Sequence, residues 1–268
     1  MKQIITLLSD FGLKDSYVAE MKAVILSKCP EVKIVDISHE IDKFNIRMGA
    51  FVLASAAPYF PKDTVHVAVV DPGVGTKRHP IIVETKHSYF VGPDNGVLIL
   101  AASKKGVRHA YVIENPQYML PKVSKTFHGR DIFASVAAHL AAGVNASQFG
   151  KEIRDYVEPD FVKPRLKGDT VFGEVLHIDS FGNIITNISS NILKKLAVRE
   201  NESVWIEIGK KTATLKLCSA YGNVSLGEAL AIVGSHGFLG ISVNQGNAAK
   251  RFKARCGDSI QVQRRSYG

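Results

Sequence analysis

No apolar run in this chain approaches the roughly 20 residues needed to cross a bilayer as a helix, so a spanning helix is not expected. The opening MKQIITLLSDFG carries about five apolar residues before Ser9-Asp10, short of the roughly 7–15 that form a secretion-signal core. It reads instead as a first buried strand. Cysteine is scarce: Cys29, Cys218 and Cys256 are three in number and widely spaced, with no metal-ligand or redox pairing among them. Reduced thiols in a cytoplasm are the expectation. There is no His-x-His or Asp-x-Asp pair to announce a metal site. Gly73-Val74-Gly75-Thr76-Lys77 lacks both the four-residue spacer of a phosphate loop and the third glycine of a dinucleotide fingerprint.

What is present suits a globular protein. Of 268 residues, 46% are hydrophobic, ample for one large core or two modest ones. Thirty-four basic against 25 acidic residues leave a net charge of +9, which raises the question of a nucleic-acid partner. The basic residues are dispersed, however, apart from Lys194–Lys195, Lys210–Lys211, Lys250–Arg255 and Arg264–Arg265. No aromatic-basic ladder for stacking bases accompanies them, so nucleic acid is not the expected partner.

Up to about residue 157, strand-like and helix-like segments alternate. Ile4–Leu8, Val32–Ile37, Val65–Val70 and Ala110–Ile113 read as strands, Ile81–Glu84 with Tyr89–Val91 as a hairpin, and 17–27, 46–57 and 131–142 as helices. This alternation predicts an α/β domain, residues 1–157, with a mostly parallel sheet flanked by helices. Residues 158–168, with two prolines and five charges, read as a linker. From 169 to 268 seven short strand candidates, separated by Gly-, Asn- and Ser-rich turns, predict an all-β domain, sandwich or barrel.

Several predicted strands end in small, acidic, glycine-rich loops: SDFG (9–12), DPGVG (71–75), GPDNG (92–96) and HGRD (128–131). In open α/β sheets ligands bind at the carboxyl ends of the strands, which favours Asp10 and Asp71. Each loop alone is ordinary turn or capping chemistry; four in one domain point to a site. Arg78, seven residues beyond Asp71, can fold back across the glycine-rich loop and hold that carboxylate. His128, beside a glycine and just before a helix, is poised near neutrality. Together Asp71, Arg78 and His128 could orient and partly deprotonate a water. Asp10, Asp71, Asp94, His128 and Asp131 could alternatively serve a metal-dependent phosphoesterase or nucleotidase. Further on, Asn183 can both donate to and accept from an adenine edge. Asp179 can meet an ammonium, and Ser235 a carboxylate.

The series SDFG (9–12), VDPGVGTKR (70–78), GPDNG (92–96), FHGRDIF (127–133), IDSFGNIITNI (178–188) and GSHGFLGISVN (234–244) resembles the S-adenosylmethionine hydroxide adenosyltransferases, the water-using relatives of fluorinase and chlorinase. The match runs in order over nearly the whole chain. The resemblance implies an N-terminal α/β domain, a C-terminal β-barrel and a homotrimer with active sites at subunit interfaces. It implies cleavage of S-adenosylmethionine to adenosine and methionine without metal or other cofactor. Asp10 would bind the ribose hydroxyls, Asn183 adenine, Asp179 the methionine amine and Ser235 its carboxylate. Phe44, Phe127 and Phe181 would form apolar walls, with Asp71, Arg78 and His128 as the water-activating triad. The halide-using relatives replace that triad and carry an insertion, so hydroxide is expected over halide as nucleophile. His236 departs from the aromatic residue or arginine that relatives often have there.

Overall fold

The computed structural model describes residues 3–264; Arg265 of the basic tail lies outside the described residues. The chain divides into two compact units after Pro159.

The first unit is built on a seven-stranded mixed sheet. Strands β1 (Ile4–Ser9), β2 (Lys33–Ser38), β3 (Thr64–Val69), β4 (Pro80–Thr85), β5 (Ser88–Pro93), β6 (Val107–Val112) and β7 (Glu152–Ile153) lie in the order β2-β1-β3-β5-β4-β6-β7. The first four in that order are mutually parallel; β4, β6 and β7 pair antiparallel. All six residues of β3 are buried, as expected of a parallel strand covered on both faces. Helix α1 (Tyr17–Lys28) buries Val18, Met21 and Ile25, one face at helical spacing. Helix α2 (Ile46–Ala56) starts at Asn45, whose side chain accepts the Met48 N–H at 3.0 Å, a standard N-cap. It gives way to a short 3₁₀ turn containing Pro58.

Two helical features differ from expectation. Helix α3 (Ile99–Lys105) went unread because its seven residues open with an apolar run that looks like a strand. The helix expected over 131–142 begins instead as a π-helical segment, Gly129–Ala134, and becomes α4 only at Ser135–Ala141. Asp131 bends the start: its carbonyl accepts the Leu120 N–H at 2.9 Å and its buried carboxylate accepts the Ser124 N–H at 2.7 Å. Such wide turns often sit beside functional groups, and this one follows His128.

In the second unit the short edge strand β8 (Arg165–Lys167) pairs with β9 (Thr170–Ile178). Then follow β10 (Ile184–Ser189), α5 (Ser190–Lys195), β11 (Ser203–Ile208), β12 (Lys211–Cys218), β13 (Ala229–Val233), β14 (Phe238–Val243), α6 (Ala248–Phe252) and β15 (Ser259–Arg264). Strands β9-β10-β14-β13-β12-β11-β15 close on themselves into a barrel, β15 pairing back to β9. On β11 the buried residues Val204, Ile206 and Ile208 alternate with less buried ones, the period-2 pattern that places one face in a barrel core. Both expected architectures, the parallel-rich α/β unit and the C-terminal barrel, are therefore present.

Candidate active site

Parallel pairing brings the first two acidic loops together. Ser9 and Val69 are register partners at the ends of β1 and β3, so Asp10 and Asp71 leave the sheet side by side. Asp10 is buried. Its Oδ2 accepts the Phe44 N–H at 2.9 Å, and Lys43 Nζ donates to its main-chain carbonyl. Phe44 has φ +65°, the left-handed region that a bulky side chain rarely occupies. That strained turn points its amide at Asp10 while its ring stays exposed.

Asp71, Arg78 and His128 meet. Arg78 Nε donates to both Asp71 carboxylate oxygens at 3.1 Å and Nη2 donates to Oδ2 at 2.5 Å. The same Nη2 lies 2.8 Å from His128 Nδ1. A guanidinium only donates, so Nδ1 carries the lone pair and the neutral ring holds its proton on Nε2. Burial, reinforced by the Arg78 charge, lowers the His128 pKa below the usual histidine value, which keeps the ring neutral near pH 7. The side chains of Asp71 and Arg78 are 5% and 9% exposed, so the ion pair is shielded from solvent screening. Arg78 Nη1 is buried with no hydrogen-bond partner among the described residues.

One glycine makes this convergence possible. Gly75 has φ +73°, and a Cβ there would strike the Lys125 carbonyl. The Asp71–Arg78 loop thus lies directly against the segment leading to His128. Only glycine tolerates both the conformation and the approach.

Asp10, Asp71, His128, Phe44 and Phe127 share a cavity of about 360 Å³, within the usual range for a small-molecule site. One wall is aromatic. Phe127 meets Phe11 and Tyr17 edge-on, with ring centroids 5.7 and 5.1 Å away. Lys43, Phe11 and Tyr17 were missed from the sequence; the phenylalanine within SDFG was the only available signal. Asp94 and Asp131, read earlier as possible metal ligands, are otherwise engaged. Asp94 accepts the Val157 N–H at 2.8 Å, and Asp131 pairs with Arg130 at 2.7 Å.

Of the second unit's predicted residues, Asp179, Phe181 and Asn183 line a cavity of about 750 Å³ with Tyr221 and the 243–247 segment. Asp179 accepts the amides of Phe181 and Asn183 at 3.0 and 2.8 Å, and the Asn183 Nδ2 at 2.8 Å. Asn183 Nδ2 therefore keeps one N–H, and its carbonyl oxygen remains an acceptor. Phe181 is 78% exposed. Ser235, exposed in the β13–β14 turn, is not among the residues lining that cavity. His236 accepts the Phe238 N–H at 3.1 Å, an ordinary turn contact. A larger groove of about 880 Å³ along Lys211–Lys216 contains none of the predicted residues.

Sequence profiles describing the N-terminal and C-terminal domains of SAM hydroxide adenosyltransferase match residues 5–150 and 173–261. The chain belongs to the SAM hydroxide adenosyltransferase family. It is 40% identical to the (R)-S-adenosyl-L-methionine hydrolase of Methanocaldococcus jannaschii, over 97% of this chain and 95% of that one. Identity to the Thermus thermophilus protein of the same name is 36%, covering 95% and 97%. The fluorinase of Nocardia brasiliensis is more distant, at 29% over 98% and 97%. Among solved structures, an uncharacterised conserved protein from Thermotoga maritima superposes with a TM-score of 0.88 at 42% identity, over 97% of this chain and all of that one.

Within a hydroxide adenosyltransferase chain, the first unit thus gathers the Arg78 clamp, the Asp10 carboxylate and an aromatic wall around one hollow. The arrangement can anchor a polyhydroxylated ligand at Asp10 and hold a small polar molecule against Asp71 and His128.

Proposed function

We propose that this protein hydrolyses S-adenosyl-L-methionine to adenosine and L-methionine, and that Asp71, Arg78 and His128 direct the attacking water. The observation that carries the reading is the Arg78 guanidinium bonded to both Asp71 and His128, at a cavity that Asp10 also lines. The hydrolases named above, at 36–40% identity over nearly the whole chain, support it.

The reaction balances without a cofactor. The water oxygen bonds to C5′, the C5′–S bond breaks with its electron pair moving to sulfur, and neutral methionine departs. A water proton must leave. Arg78 only donates, and it occupies the His128 lone pair, so the Asp71 carboxylate is the member of the triad left to receive that proton. Such general-base help contributes about 10²–10⁴ in rate. In-line alignment of oxygen, C5′ and sulfur contributes roughly 7 kcal/mol or more. Attack of a hydroxide-like oxygen on a sulfonium neutralises charge, which an apolar pocket favours over the separated ions.

In this reading Asp10 takes the ribose hydroxyls, and Phe44, Phe127 and Phe181 provide apolar walls. Asn183 meets adenine, Asp179 the methionine amine, and Ser235 its carboxylate. A homotrimer working in the cytoplasm is part of the same proposal. It rests on family resemblance, and a three-chain mass by light scattering tests the assembly.

The deciding experiment incubates S-adenosylmethionine with the protein in ¹⁸O-water and separates products by chromatography with mass detection. Labelled adenosine with unlabelled methionine is expected. A 5′-haloadenosine formed in chloride buffer would make the protein a halogenase. Activity on nucleotides that chelation abolishes and Mg²⁺ restores would favour the phosphoesterase.

A further inference from the structure

Behind Asp10 runs a polar chain, buried at Ser9 and His39, that the proposed chemistry does not use. Because β1 and β2 are parallel neighbours, their carboxyl ends emerge together, and Ser9 and His39 meet there. Ser9 Oγ lies 2.7 Å from His39 Nδ1, and the two residues are only 1% and 4% exposed. On the other side of the ring, His39 Nε2 faces Asp36 Oδ1 at 3.2 Å, too poorly aligned for a hydrogen bond. Asp36 in turn pairs with Lys22 of α1 at 2.6 Å.

A serine, a histidine and an aspartate in line suggest nucleophilic catalysis. Burial rules that out here, since Ser9 Oγ has no path to a substrate. What the chain does touch is the loop geometry. Ser9 Oγ also accepts the Phe11 N–H at 3.3 Å. The Ser9 carbonyl accepts Ile41 N–H at 3.4 Å, and the His39 carbonyl accepts Gly12 N–H at 2.7 Å. Segments 9–12 and 39–44 are thereby stitched together. The two groups facing each other across the stitch are the Asp10 carboxylate and the strained Phe44 amide.

We propose that His39, acting through Ser9, is a positioning residue that holds Asp10 and Phe44 in the geometry that binds the nucleoside. This rests on the hydrolase reading above and adds a residue with no contact to substrate. The Ser9–His39 bond is fully buried, and losing one partner strands the other.

Three substitutions separate positioning from bulk stability. In His39→Asn, Oδ1 stands on Cγ where Nδ1 stood and can still accept from Ser9. In His39→Gln the amide reaches towards Asp36 and abandons Ser9. His39→Ala loses both contacts. The readouts are KM and kcat for S-adenosylmethionine, and the Kd of adenosine by calorimetry. In His39→Gln and His39→Ala, KM and the adenosine Kd are expected to rise about tenfold, with kcat within about threefold. His39→Asn is expected to return both constants to within about threefold of wild type. A merely structural histidine would lower the melting temperature in all three without separating Asn from Gln. Equal KM values across the three variants, or a fall in kcat at constant KM, overturn the proposal. Ser9→Ala should match His39→Gln, which keeps the comparison decisive if His39→Ala does not fold. A wild-type protein that neither turns over S-adenosylmethionine nor binds adenosine removes the hydrolase reading, and this proposal with it. A competent wild type with uniform variants removes this proposal alone.

Discussion

Replacing Asp71 by asparagine keeps the shape of the clamp and removes its charge. Arg78 makes three contacts to that carboxylate, two from Nε at 3.1 Å and one from Nη2 at 2.5 Å. An asparagine leaves one oxygen to accept and turns an NH₂ towards a group that can only donate. The guanidinium, 9% exposed, is left without its counter-charge. Breaking a buried pair in this way costs about 3–5 kcal/mol. Expressed at the transition state, at about 1.36 kcal/mol per factor of ten, that is a loss in kcat of about 150-fold to about 5,000-fold. Adenosine binding should survive, because the contacts that shape Asp10 come from Phe44 and Lys43, outside the clamp. Adenosine release from S-adenosylmethionine, followed by chromatography, measures kcat; calorimetry measures the adenosine Kd. The reasoning is refuted by a variant whose kcat stays within about threefold of wild type. It is refuted equally if adenosine affinity falls in step with kcat, since the clamp and the Asp10 turn would then be one structural unit.

Two further outcomes follow from the geometry. Gly75→Ala forces a Cβ into the Lys125 carbonyl at φ +73°, so unfolding free energy should fall by about 2 kcal/mol or more. The kcat should fall with it, because the Arg78 loop is pushed off the His128 segment; urea melts and turnover both unchanged would contradict this. His66 is fully buried, stacked on Phe90 and bonded to Thr6 Oγ1. Burial, aided by Lys105, pushes its pKa down to about 3. The unfolded chain therefore binds this proton below about pH 6.5 while the folded chain does not, so acidification costs stability. Between pH 6 and 4, wild type should lose about 1.4 kcal/mol per pH unit more than His66→Asn. Parallel slopes in urea denaturation would show that His66 is not the group responsible.

Much of the first unit was legible because its signals are local. The β-branched run before Asp71 announces a buried parallel strand, and valine, methionine and isoleucine at helical spacing announce α1. The seven barrel strands were readable for the same reason, with turn residues dividing them at regular intervals. What escaped detection was non-local or ambiguous. The apolar opening of α3 satisfies either period over so short a length. The π-helical start after His128 depends on Asp131 reaching back to Ser124, a contact that no periodicity encodes.

The sequence by itself determined the alternation of elements, the run of short strands in the second unit, and the presence of polar loops at strand ends, because each depends on neighbours a few residues apart. Only tertiary structure decided that Asp71, Arg78 and His128 touch, that the His128 proton sits on Nε2, and that His39 backs Ser9. Those facts depend on which strand ends lie side by side, and that is set by parallel pairing across crossovers of tens of residues, beyond the reach of any local pattern.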